Sequence, residues 1–178
     1  MALSYNSAPF LFVSLLSISF TLTSVRADLV AEVCSKTLKP AICLSALRAD
    51  PRSKGADLVV LATVAIGISQ TNATSVRNLV STLLKQATDP KLKTRYDSCL
   101  ESYNDAIYVL GGLPDDLKSK DYDSLNVHAG AATTGASTCD DDFEGPPAEA
   151  PQLKDASDKL QGLIDIIVVI SYLLMKGH

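Results

Sequence analysis

Apolar residues recur in steps of three and four along most of this chain, the spacing of helices that each bury one stripe. The last segment repeats it without a break, through Leu153, Ala156, Leu160, Leu163, Ile167, Ile170 and Leu174. Ile164, Ile166, Val168 and Val169 widen that stripe almost around the helix, so its C-terminal half is expected to lie centrally among its neighbours. A second stripe runs Tyr96, Cys99, Tyr103, Ala106, Leu110. It opens after Asp89 and Pro90 and is predicted to stop at Gly111 and Gly112, with Pro114 beyond. A third runs Tyr122, Leu125, Ala129, Ala132, Ala136, Cys139, with Asp121 placed to cap its start. The first long segment, 57–86, carries Leu58, Leu61, Ala65, Ile68, Val76, Leu79 and Leu83 on or near one face. Strand-like alternation is nowhere sustained.

Four such helices on short connections predict an all-α fold, an up-and-down antiparallel four-helix bundle over 55–178. Ahead of it, 29–38 and 41–47 read as two short helices broken at Pro40, a helical hairpin over 28–54 that stands outside the bundle. Residues 9–22 form an apolar run too short for a comfortable membrane span, ending near Val25, Arg26 and Ala27. This is the form of a signal peptide over 1–27, cleaved before Asp28. The segment 160–175 fails as a span on length and on Asp165, so no membrane association is expected after cleavage.

Export would deliver Cys34, Cys43, Cys99 and Cys139 to an oxidising compartment, where an even count without a CxxC spacing favours two disulfides over metal ligation or redox chemistry. Three connectivities remain open. Locality favours Cys34 with Cys43, across the turn at Pro40, and Cys99 with Cys139, on neighbouring stripes. The second pair closes a loop of about 40 residues, worth roughly 4 kcal/mol on the loop-entropy model.

Charge narrows the function. The chain has 16 basic and 20 acidic residues, and without Arg26 the balance is near −5. Nothing forms a basic stripe or a stacking platform, which argues against nucleic acid, and free anionic polysaccharide is not an expected direct ligand. Catalysis is equally poorly supplied. The histidines are only His128 and His178, no serine sits in a GxSxG context, and bridged cysteines cannot act as nucleophiles. No metal or cofactor is expected: Asp140, Asp141 and Asp142 with Glu144 lack the alternating ligands and glycine of a calcium loop. The Ala-rich stripes argue against a ligand cavity in the bundle. Asn72, in Asn72-Ala73-Thr74, heads the only N-glycosylation sequon.

A set of ordered motifs adds what spacing cannot. These are Val33-Cys34 with Pro40-Ala41-Ile42-Cys43-Leu44, Pro51-Arg52, Gln86-Ala87-Thr88-Asp89-Pro90-Lys91-Leu92-Lys93, Asp121-Tyr122-Asp123-Ser124-Leu125-Asn126, and Phe143-Glu144-Gly145-Pro146-Pro147. Over 29–174 the chain resembles the plant invertase and pectin methylesterase inhibitor family, and within it the pectin methylesterase inhibitors. The resemblance implies a four-helix bundle with an N-terminal hairpin and the disulfides Cys34 to Cys43 and Cys99 to Cys139. It implies a secreted protein of the apoplast and cell wall that is no enzyme. Its partner would be pectin methylesterase, in a 1:1 complex where the second and third bundle helices cover the esterase cleft.

Carried over by position, the family's target contacts fall at Glu101, Asp105, Asn126, Thr138 and Asp141, with Asp121 nearby. Tyr108 departs from an acidic position. Glu101 and Asp105 are four apart, so they share a helix face outside the buried stripe. Invertase inhibitors of the same family carry Pro-Lys-Phe just after the Asp that opens the third bundle helix. Here Tyr122-Asp123-Ser124 stands instead, which leaves invertase inhibition as the alternative.

Overall fold

The computed structural model describes residues 28–177, so the expected signal peptide lies outside the described residues. Among the described residues six helices follow one another: α1 (Leu29–Ser35), α2 (Pro40–Ala49), α3 (Leu58–Gln86), α4 (Pro90–Ser119), α5 (Tyr122–Asp141) and α6 (Pro151–Met175), with a 3-10 turn at Pro51–Ser53. Their starts are written in side chains that satisfy otherwise unpaired backbone N–H groups. Asp57 accepts from the Val60 N–H, Asp89 from those of Lys91 and Leu92, and Asp121 from that of Ser124. Helices α3 to α6 form the bundle: each packs on the next, and α6 closes back onto α3. Length and hydropathy alone would let α3 cross a membrane. Its apolar stripe is instead covered by α4 and α6.

The predicted stripes are the core. Leu125, Ala129, Ala132, Ala136 and Cys139 are all fully buried, as are Leu153, Leu160, Ile164, Ile166, Ile167 and Ile170. That near-encircling burial makes the C-terminal half of α6 the centre of the molecule. In α3, Ile68 and Leu79 are only half-buried, while Ala62, Val64, Ala73 and Val80 complete the buried face.

The predicted end of α4 is wrong. The helix does not stop at Gly111 and Gly112 but runs through Pro114 to Ser119, ending where Lys120 takes a left-handed conformation, φ 61°. Two features carry it past the breakers. Leu113 and Leu117 continue the buried stripe for two more turns. Pro114 has no N–H for the carbonyl four residues back, that of Leu110. The Gln70 side-chain amide on α3 donates to that carbonyl at 2.9 Å. Gln70→Leu, which removes the donor, should cost about 1–2 kcal/mol. Urea unfolding of the variant is the check, and unchanged stability would show that the carbonyl needs no amide.

The N-terminal hairpin of α1 and α2 precedes the bundle, as predicted. It lies outside the four-helix ring but does not stand free of it: Val33, Cys34, Cys43 and Leu47 are fully buried in the common core. At its turn the Leu38 N–H donates to Asp165 at 2.6 Å, and the Lys39 ammonium donates to the Asp158 carbonyl at 2.9 Å and carboxylate at 3.1 Å. Gly162 on α6 makes room, since a Cβ there would lie 3.2 Å from Ile42 and Lys39 side-chain carbons. Both favoured disulfides are formed, Cys34 to Cys43 and Cys99 to Cys139.

Candidate functional site

The α4–α5 pair presents the candidate face. Its two helices are held close at three levels. The Cys99 and Cys139 Cα atoms are 4.6 Å apart at one end. Midway, a Cβ on Gly135 would lie 3.0 Å from the Ser102 carbonyl oxygen and 3.3 Å from Ala106 Cβ, so only glycine admits this approach without a shift. At the other end His128 Nδ1 meets an Asp116 carboxylate oxygen at 2.7 Å.

This geometry brings together four of the six candidate residues. Glu101 follows Cys99 by two positions, Thr138 immediately precedes Cys139, and Asp141 follows it by two, while Asp105 is one turn beyond Glu101. All four are exposed on α4 or the last turns of α5. Thr138 keeps its hydroxyl on its own helix, donating to the Thr134 carbonyl at 2.9 Å, so its methyl is the freer contact group. The neighbouring Asp140 is not part of this outward set, because it accepts from Lys154 at 3.0 Å and from Gln161 at 2.9 Å, both on α6.

Asn126 and Asp121 are placed differently. Asn126 is half-buried and turned toward α6, where its amide donates to the Val168 carbonyl at 3.0 Å and the Ser171 hydroxyl at 2.8 Å. It lies roughly 20 Å along the helix from Cys139 at 1.5 Å per residue. Asp121 is further still and both its oxygens are engaged with Ser124, whose backbone N–H and hydroxyl hold its carboxyl below the ordinary carboxylate range. Neither joins the cluster around the bridge. Asn72 sits in the middle of α3, half-buried, with its side-chain carbonyl oxygen buried and unbonded.

Two residues that sequence reasoning passed over support this face from behind. Arg95, buried on α4, donates to the carbonyls of Gly145 and Pro147 in the α5–α6 connection and lies 5.3 Å from the Phe143 ring centroid. The signal was a cation one position before Tyr96 on an apolar stripe. Glu149, in the same connection, carries a buried oxygen without a hydrogen-bond partner, as does Asp140. Burial and then the Asp140 carboxylate push the Glu149 carboxyl up to about 7, against the pull of Lys154.

The folded chain therefore holds this proton more tightly than the unfolded chain, whose reference value is 4.5. The resulting stabilisation is complete below pH 4.5 and is lost as pH rises through about 7. Discounted for solvent screening, it amounts to about 1 kcal/mol. Glu149→Gln should flatten this part of the stability profile. Urea midpoints at pH 5 and 8 measure it, and parallel profiles for variant and wild type would exclude titration of Glu149 in this range.

The family model for plant invertase/pectin methylesterase inhibitors matches residues 28–170, which span the hairpin and nearly all of the bundle. The chain belongs to that family. Within the inhibitor family, a pectinesterase inhibitor of Actinidia deliciosa is 48% identical over 182 residues, covering 98% of each chain. A putative invertase inhibitor of Platanus acerifolia is 32% identical, covering 98% of this chain and 99% of that one. The crystal structure of a mutant form of a pectin methylesterase inhibitor from Arabidopsis superposes with a TM-score of 0.71 at 31% identity, over 79% of this chain and 93% of the other. The helical bundle described above is thus the fold of this inhibitor family.

Proposed function

We propose that this chain is a secreted inhibitor of a plant pectin methylesterase, acting in the cell wall through a 1:1 complex. The observation that carries the reading is the 48% identity to a pectinesterase inhibitor along 98% of both chains. The α4–α5 face, with Glu101, Asp105, Thr138 and Asp141, covers the esterase cleft and keeps pectin from its catalytic groups. No covalent step is involved. The inhibitor excludes substrate, and the cell wall retains its pectin methyl esters. Asn126 and Asp121 act from behind this face, Asn126 by fixing α5 against α6 and Asp121 by capping α5.

A second reading, inhibition of an invertase, is favoured by the Platanus relative. Against it stands Tyr122-Asp123-Ser124 where invertase inhibitors resemble one another in Pro-Lys-Phe: a lysine probe is missing and a carboxylate is present. Titrating both enzymes with the oxidised protein separates the two. The expected outcome is loss of pectin demethylation at an equivalence point near one to one, with sucrose hydrolysis untouched; the converse would overturn the proposal. Asp105→Ala and Asp141→Ala should each raise the inhibition constant by roughly tenfold, as truncations of central polar contacts do.

A further inference from the structure

Beyond Asp105 the outward stripe of α4 changes character. Its next members are Tyr108 and Gly112, followed by Asp115, in the same three-and-four spacing that sets Glu101 and Asp105 on this face. Tyr108 is 85% exposed, the most solvent-exposed aromatic ring among the described residues. Beside it the helix is bare at Gly111 and Gly112, and with His128 from α5 these residues line a shallow notch. Neither glycine has a positive φ, and a Cβ added at either would meet nothing within 4 Å. Alanine would fit at both positions and would favour the helix. The chain's own packing therefore gives no reason for glycine there, and the free surface over the notch is where a reason can lie.

The surroundings define what fits. The notch is otherwise lined by Ile107 and Val109, and the exposed Asp105 and Asp115 precede and follow it on the stripe, so an aromatic face with apolar neighbours and carboxylates along the same face is a receptor for a long basic side chain. Resting on the proposed esterase-inhibitor reading, we infer that this notch is a second anchor point of the complex. It receives a basic side chain of the pectin methylesterase, which lies over the Gly112 backbone and stacks on the Tyr108 ring. Asp105 belongs to both parts of the face and makes them continuous. An aromatic within an acidic stripe then distinguishes esterases that carry a lysine or arginine at this point from those that do not.

The test measures inhibition constants against pectin methylesterase for four variants, each checked for fold by circular dichroism and melting temperature. Tyr108→Ala should weaken inhibition on the order of 30-fold, the behaviour of an interface hot spot. Tyr108→Phe, which keeps the ring, should stay within about threefold of wild type. Tyr108→Leu, which keeps apolar area but no π face, should behave like the alanine variant. Gly112→Ala should raise the melting temperature and yet weaken inhibition by about tenfold, because the added methyl fills the notch. Tyr108→Ala within about twofold of wild type would overturn the anchor, full retention in Tyr108→Leu would overturn its cationic partner, and a lowered melting temperature in Gly112→Ala would return the glycine to internal packing. Wild-type protein that inhibits no pectin methylesterase would instead sink the parent reading.

Discussion

Replacing Cys99 and Cys139 together by alanine will lower the free energy of unfolding by about 4 kcal/mol, the larger loss of the two disulfides. The bridge spans a sequence separation of 40, so in the unfolded ensemble it removes far more chain freedom than the Cys34–Cys43 bridge, whose separation is 9. The same loop-entropy estimate gives roughly 2.5 kcal/mol for the shorter closure. Both bridges are fully buried, so small cavities add to each. The functional consequences should diverge more than the stabilities. Cys139 lies between Thr138 and Asp141 on the proposed inhibitory face, whereas Cys34 and Cys43 lie in the hairpin. Denaturant unfolding and esterase titration of both double variants decide it. Equal weakening of inhibition by both would show that the bridge near Thr138 acts only through global stability.

Arg95→Ala is expected to cost about 3 kcal/mol, unusually much for an arginine that forms no salt bridge among the described residues. Its side chain is buried, 8% exposed for the residue, and its charge is answered by carbonyl dipoles. The guanidinium reaches the Gly145 oxygen at 3.0 Å and the Pro147 oxygen, with the carbonyls of Glu144 and Pro146 at 3.4 and 3.5 Å. Phe143 packs beneath it and against Tyr96, ring centroids 5.5 Å apart. Removing Arg95 takes the shared donor from the carbonyls of the connection and opens space beside two rings. Arg95→Lys should recover only part of the loss, because one ammonium cannot span acceptors that the planar fork reaches together. A lysine variant as stable as wild type would show that charge, and not the fork, is what the connection requires. Because the connection leaves the last turn of α5, the alanine variant should also weaken inhibition through Asp141.

The contrast between Asp121 and Arg95 shows what the sequence could and could not reveal. A cap acts on N–H groups two or three residues away, so Asp57, Asp89 and Asp121 announce their helices locally. Arg95 and Gln70 act on carbonyls 50 and 40 residues away, and no local period reports such partners. That is why Gly111, Gly112 and Pro114 read as an end to α4: the compensating amide belongs to α3. The site divides in the same way. Exposure of Glu101 and Asp105 follows from the stripe they avoid. Asn126, next to the buried stripe position Leu125, faces α6 or solvent according to which side the neighbouring helix occupies, and the sequence carries no signal for that choice.

The close approach at Gly135, with a disulfide at one end and the His128–Asp116 contact at the other, leaves α4 and α5 little room to shift against each other. A plate of this kind has little conformational entropy left to surrender when it docks. Encounter and locking should then merge into one step, with single-exponential association and no slow rearrangement phase in stopped-flow traces. Substitutions on the face would register as shorter residence times, while the rate of capture stays nearly constant.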